Sequence, residues 1–319
     1  MDFTYESIET TLDTHEWTEF AFFSANFQHV MQICGLQSQL QYFDRTVKFA
    51  QLQTTIDLSQ RLATACGPAL HHALQSPAFI VTFHFGFYRL IPVSLLKMGY
   101  RLALLVSRDV FDNQQAFYAK VLRPEWFDKL VFVRAEDPQL FFKIRQLRKK
   151  GYQILCYADG GAGAKPIDQA GPGTTKVVLG EAHLRARSGF ADMAYLLGAP
   201  LCLLMPPIEE EAIWDLAATE VYMPERCPSR RQFVKGVMDS LYAHLGQALR
   251  GAPHAWECWL YLHRTMPPKS FIEAWPIADR FMPFMQEQQG FVLDKGLYKI
   301  YPLEENKFKK TLHFLRNSK

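Results

Sequence analysis

The sequence predicts an α/β fold: a mainly parallel sheet with helices on both faces, behind a helical N-terminal lead-in. Three observations predict it. Residues 1 to about 75 carry apolar positions at helical spacing, as in Phe20, Phe23, Phe27, Val30, Met31 and Cys34. From Phe79 onward, short apolar runs alternate with helix-like stretches, the pattern of a parallel sheet covered on both faces. And 319 residues at 49% hydrophobic content suffice for a sizeable core.

Taken in order, the strand candidates are Phe79–Phe85, Leu102–Ser107, Leu130–Arg134, Gln153–Tyr157 and Leu201–Met205. Helical stretches lie near residues 87–98, 111–122, 137–150 and 188–198, and another over 229–250. Residues 160–174 are a loop by their glycine content, and they match neither phosphate-binding glycine pattern. The last fifty residues, from Ser270, read as a less regular extension with a hairpin in Gly290–Tyr301 and a basic tail. The chain therefore divides into an α/β unit over 1–269, whose lead-in is 1–75, and an extension over 270–319.

Composition narrows the function. A net charge of +3 is too weak to argue for nucleic acid. The six cysteines are scattered, without ligand-like spacing, which fits reduced thiols and neither a disulfide frame nor a metal site. No stretch approaches the ~18 apolar residues of a membrane span, and the start Met1-Asp2-Phe3 lacks the basic opening of a signal peptide. A cytoplasmic protein is expected, with contact at a membrane surface left open.

The most informative residue is His84. It follows the β-rich run Phe79-Ile80-Val81-Thr82-Phe83 and precedes Gly86 and a helix-like segment, which is how α/β enzymes present a base to a crevice. A satisfied, partly buried core histidine is the plainer reading of the same pattern.

Four ordered segments carry a resemblance. They are His84-Phe85-Gly86; Ile154-Leu155-Cys156-Tyr157-Ala158-Asp159 before the glycine-rich loop; Arg187-Ser188-Gly189-Phe190 through Leu196-Leu197-Gly198-Ala199-Pro200; and Trp256-Glu257-Cys258-Trp259 through His263-Arg264. Together, over roughly residues 70–268, the chain resembles the late acyltransferases of lipid A biosynthesis, within the lysophospholipid acyltransferase superfamily. That family has H-x4-[DE] after its first strand, and here the acidic position holds Arg89. The family's N-terminal membrane anchor is also not seen, which turns the expectation away from a bilayer lipid acceptor and towards a secondary-metabolite pathway.

The resemblance implies an acyltransferase that moves an acyl or aminoacyl group from a coenzyme A or acyl carrier protein thioester to an amine or hydroxyl. The thioester is a co-substrate, no cofactor or metal is expected, and the acceptor is a small or carrier-bound molecule. His84 is the expected general base, since imidazole is tuned to accept a proton near neutral pH. Arg89 cannot orient that ring as a carboxylate does and is expected to lower the histidine's pKa. Asp159, at the end of a neighbouring strand, is expected to take the carboxylate role or to pair with Arg89.

For anionic groups the candidates are Arg89, which is expected to hold either Asp159 or a donor phosphate, Arg108, which matches an arginine of the family, and the alternating run Glu181, His183, Arg185, Arg187, which shares one face if it is a strand. The basic helix end Lys143, Arg145, Arg148, Lys149, Lys150 is either a solvated face or a docking surface for an acidic carrier protein. Trp256, Trp259, His263 and Arg264 read mainly as core packing. The competing class is a non-catalytic acyl-chain binder or scaffold, in which Arg89 marks a lost dyad. A hydrolase of the G-x-S-x-G type has no matching motif.

Overall fold

The protein is described here by a computed structural model covering residues 15–55, 61–160, 173–209, 214–265 and 275–317. The expected α/β architecture is present. Helices α1 (His15–Met31), α2 (Leu36–Thr55) and α3 (Pro68–Ala73) precede a six-stranded sheet. Its strands are β1 (Phe79–Thr82), β2 (Arg101–Val106), β3 (Leu130–Arg134), β4 (Tyr152–Tyr157), β7 (Leu201–Leu204) and β8 (Ala218–Tyr222), in the order β3-β2-β4-β1-β7-β8. All neighbours pair parallel except β7 with the edge strand β8. Helices α4 (Leu90–Lys97), α5 (Phe111–Val121), α6 (Leu140–Lys149), α7 (Gly189–Leu196) and α8 (Arg230–Gly251) flank it.

The central strands are legible because burial on both faces demands unbroken apolar runs. Every residue of Phe79–Thr82 and of Leu201–Leu204 is buried. The sequence reading missed β8, whose Ala-Thr-Glu-Val-Tyr is half-exposed at the sheet edge and lacks such a run. It also missed β5 (Thr174–Leu179), which forms a separate antiparallel hairpin with β6 (Ala182–Arg187). Most of the glycine-rich loop, residues 161–172, lies outside the described residues.

The helical N-terminal lead-in is present and joins the core: in α1, Trp17, Phe20, Phe23 and Phe27 are fully buried, and Phe23 and Phe27 pack edge-on against Trp259. The C-terminal region is more regular than expected. After α9 (Ile277–Arg280), the strands β9 (Phe281–Gln286), β10 (Gln289–Asp294) and β11 (Lys299–Leu303) form an antiparallel sheet, followed by α10 (Glu305–Asn317). The predicted hairpin is β10–β11; β9 escaped notice because Pro283 interrupts it, which an edge strand tolerates. This sheet docks on α1, with the Trp17 indole N–H donating to the Pro283 carbonyl at 2.8 Å.

Candidate active site

The site is set by strand register. β1 and β4 pair parallel with Thr82 opposite Tyr157, and the Ala158 amide extends the ladder to the Thr82 carbonyl at 2.9 Å. Two residues further along each chain stand His84 and Asp159, at the carboxyl ends of adjacent strands where open α/β sheets bind ligands. Their side chains meet: His84 Nδ1 lies 2.8 Å from Asp159 Oδ1. Asp159 Oδ2 accepts from the His84 backbone N–H at 2.9 Å and from the Trp256 indole N–H at 2.7 Å. Of the two partners expected for Asp159, the structure selects His84.

A backbone clasp holds the histidine turn. Phe85 bridges Trp256, the Glu257 amide donates to the His84 carbonyl at 3.0 Å, and the Gly86 amide donates to the Ala255 carbonyl at 2.9 Å. Gly86 has φ +58°, and a Cβ there would stand 2.7 Å from the Pro207 carbonyl oxygen, so the turn requires glycine. The clasp delivers Trp256, Glu257 and Cys258 to the site. Sequence reading had passed over Glu257 and Cys258 and assigned Trp256 to the core. Trp256 is in the core, at 1% exposure, but its one polar atom is spent on Asp159.

His84 is stacked on Tyr157, with ring centroids 4.5 Å apart, and meets Tyr88 edge-on at 5.0 Å. Burial pulls its pKa down, but the charge and hydrogen bond of Asp159 outweigh burial, and the imidazole ends above its ordinary value. The expected lowering by Arg89 is therefore overturned in its net result: the guanidinium does lower it, but by less than Asp159 and Glu257 raise it. The Asp159 side chain is only 3% exposed, and burial alone raises its pKa; His84, the Trp256 donor and the backbone N–H reverse that, so it lies below the usual carboxylate range.

Cys258 Sγ lies 3.4 Å from Asp159 Oδ2 and 3.9 Å from His84 Nδ1. His84, Asp159 and Cys258 thus offer one ligand atom each within a 4.8 Å cluster. Their chemistry fits a proton network better than a metal site. Burial and the Asp159 charge push the Cys258 thiol well up, so it donates as S–H, while the carboxylate is already committed to three donors. The thiol sits on the Nδ1 side of the ring, away from Nε2.

Arg89 does not touch Asp159. Its Nη1 stands 3.8 Å from Glu257 Oε1, and its Cζ lies 5.0 Å from the Tyr88 ring centre and 5.1 Å from that of Phe117. Glu257 in turn accepts from Gln53 Nε2 and from the Tyr88 hydroxyl, both at 2.9 Å.

His84, Arg89, Glu257 and Arg187 border one cavity of about 600 Å³, together with the exposed Arg264. Leu105, Val106, Val110, Leu140, Phe190 and Met193 give the cavity an apolar wall. Arg108, Glu181 and His183 do not line it. Arg108 is exposed beyond β2, with its backbone N–H on Glu136; Glu181 sits in the β5–β6 turn; and His183 faces outward on β6. The alternation of β6 is as expected, yet only its last member, Arg187, reaches the cavity. Of the basic helix end, Arg148 turns inward and caps the Pro77 and Leu197 carbonyls, and Lys143 pairs with Asp137. His263 is stacked on Phe22, and burial pulls it down to about 4, which suits packing and not proton transfer.

No family model matches this sequence, and no curated protein matches it. Among the described residues, no helix is long and apolar enough to cross a membrane.

Proposed function

We propose that this protein is an acyltransferase, moving an acyl or aminoacyl group from a coenzyme A or carrier-protein thioester onto an amine or hydroxyl. The single observation that carries the reading is the 2.8 Å contact between His84 Nδ1 and Asp159 at the edge of the cavity. With Nδ1 held by the carboxylate, Nε2 is the basic nitrogen left for a reactant, and no group among the described residues hydrogen-bonds to it.

The acceptor's O–H or N–H gives its proton to His84 Nε2 as its heteroatom attacks the thioester carbonyl. The imidazolium so formed is stabilised by Asp159. Collapse of the tetrahedral intermediate breaks the C–S bond, and the departing sulfur takes the proton back from His84. The donor is already activated, so no acyl-enzyme is required. Arg187 and Arg264 suit the donor's anionic groups at the cavity's border. The likeness to the lipid A late acyltransferases adds the superfamily to this proposal; its acid at position 89 is replaced in role by Asp159, which comes from the neighbouring strand.

The test is transfer from a panel of labelled coenzyme A and carrier-protein thioesters, compared between the wild type and His84→Ala. Loss of about 10²–10⁴-fold on removing the base is expected. No transfer by either protein would leave a binding or scaffold protein as the better reading, and equal transfer by both would remove His84 as the base.

A further inference from the structure

We propose that Arg89 is the seat of a substrate carboxylate, so that one of the two reaction partners of this site is a small acid; this rests on the acyl-transfer reading of His84 given above. Arg89 is an unusual group to find beside a general base. Its side chain is only 16% exposed, so its cation has lost most of its water. A guanidinium so placed needs its five N–H donors satisfied. Here they are not. Among the described residues no oxygen accepts a hydrogen bond from it, and the Glu257 carboxylate stays 3.8 Å away because its oxygens are engaged by Gln53 and Tyr88. Nη1 is sealed from solvent and has no hydrogen-bond partner, its ion pair with Glu257 at 3.8 Å being too long for one, whereas Nε and Nη2 are neither sealed nor hydrogen-bonded among the described residues. Since Arg89 lines the cavity, those remaining donors are what it presents there.

The surroundings specify the ligand. The rings of Tyr88 and Phe117 flank the guanidinium and leave its edge for a planar, two-oxygen acceptor, the bidentate geometry of a carboxylate. The Glu257 carboxylate offsets part of the guanidinium's charge, so it opposes a phosphate dianion more than it opposes a monoanion. The diphosphate of a coenzyme A donor has its own cations, Arg187 and the exposed Arg264, at the same cavity. The Tyr88 ring touches both Arg89 and His84, so the acid group and the reacting atom lie one aromatic ring apart on the same molecule. That carboxylate belongs either to the acceptor or to the far end of the acyl group.

Calorimetric binding to the full chain distinguishes the two sources. One arm compares 4-aminobutanoate and 6-aminohexanoate with their carboxamides, as acceptors. The other compares glutaryl- with pentanoyl-coenzyme A, as donors. The wild type should bind the acid of one arm at least about tenfold tighter than its neutral counterpart, the strength of a charge-assisted bond. The preference should fall to near unity in the Arg89→Gln/Glu257→Gln double variant, which removes both charges together, and should weaken in Arg89→Lys, which keeps the charge and loses the fork. No discrimination by the wild type in either arm overturns the proposal, whether or not the variants fold; so does discrimination that survives in a folded double variant. The readout is binding, so the two readings fail separately. A protein that selects acids through Arg89 but transfers nothing loses only the reaction, and one that transfers without regard to a carboxylate loses only this assignment.

Discussion

Asp159 grips His84 twice, through Oδ1 to the imidazole Nδ1 and through Oδ2 to the same residue's backbone N–H. The double contact fixes ring and main chain together, and parallel register prepares it: Thr82 opposite Tyr157 leaves His84 and Asp159 each two residues further along adjacent strands. The two pKa shifts give its pH window. The raised His84 pKa contributes stability in full below the unfolded value of about 6.5, lost as pH rises through the folded value. The lowered Asp159 pKa contributes stability above the unfolded value of about 3.9, lost as pH falls through the folded value. Their joint contribution is greatest in mildly acidic solution.

Trp256→Phe removes the indole donor from a buried carboxylate. A loss of about 1–3 kcal/mol is expected in denaturant unfolding, the cost of stranding a buried acceptor. A double-mutant cycle with Asp159→Asn separates that bond from the small void the phenyl ring leaves, and should return a coupling of about 1 kcal/mol. Additive losses would show that the indole N–H does nothing for Asp159.

Arg89→Glu restores the acidic residue of H-x4-[DE], yet it should harm the protein. The new carboxylate would face Glu257, whose Oε1 is 3.8 Å from the present guanidinium, and a loss of about 3 kcal/mol is expected for two like charges with little water. The exchanged pair, Arg89→Glu with Glu257→Arg, should recover part of it. An Arg89→Glu protein as stable as the wild type and faster in transfer would show that Arg89 is merely a lost acid.

Lys295 is buried between α1 and the C-terminal sheet, its ammonium 3.0 Å from Ser24 Oγ and 3.5 Å from Gln39 Oε1. Burial lowers its pKa to about 7, against opposing pulls from Asp279 and Cys34. The unfolded lysine keeps its proton to about pH 10.4, so this group destabilises the fold fully below pH 7 and progressively less as pH rises towards 10. Lys295→Met should therefore stabilise by a few kcal/mol at pH 6 and by little at pH 10, in thermal melts of both proteins. A pH-independent difference would contradict the buried charge.

The sheet was legible because its central strands are buried on both faces and spell unbroken apolar runs, and His84 was legible because it ends one of them. Asp159 was legible as a candidate for the same reason, though its choice between His84 and Arg89 was not. Glu257 was hidden. It sits in a 3-10 turn between core residues, and only the bridge from Phe85 to Trp256 brings it to the site across some 170 residues. The candidates of the β5–β6 hairpin that lie outside the cavity share a cause as well. Alternation marks one face of β6, but it cannot say that the hairpin turns His183 to solvent while Arg187 reaches the cavity. Lys295 carries no signal in the sequence, because burial of a lysine depends on what α1 covers.

The central claim is that His84 is a general base poised by Asp159, and the pH profile of kcat/KM for acyl transfer tests it most directly. A base acts when neutral, so the rate should rise with pH to a plateau, with a midpoint above the ordinary histidine value of about 6.5. In Asp159→Asn the largest influence raising the imidazole is gone and only the weaker pull of Glu257 opposes burial, so the midpoint should fall below that of the wild type, and the plateau should drop about 10²–10⁴-fold. A flat wild-type profile from pH 5 to 9, or an Asp159→Asn midpoint unchanged from the wild type, would contradict it.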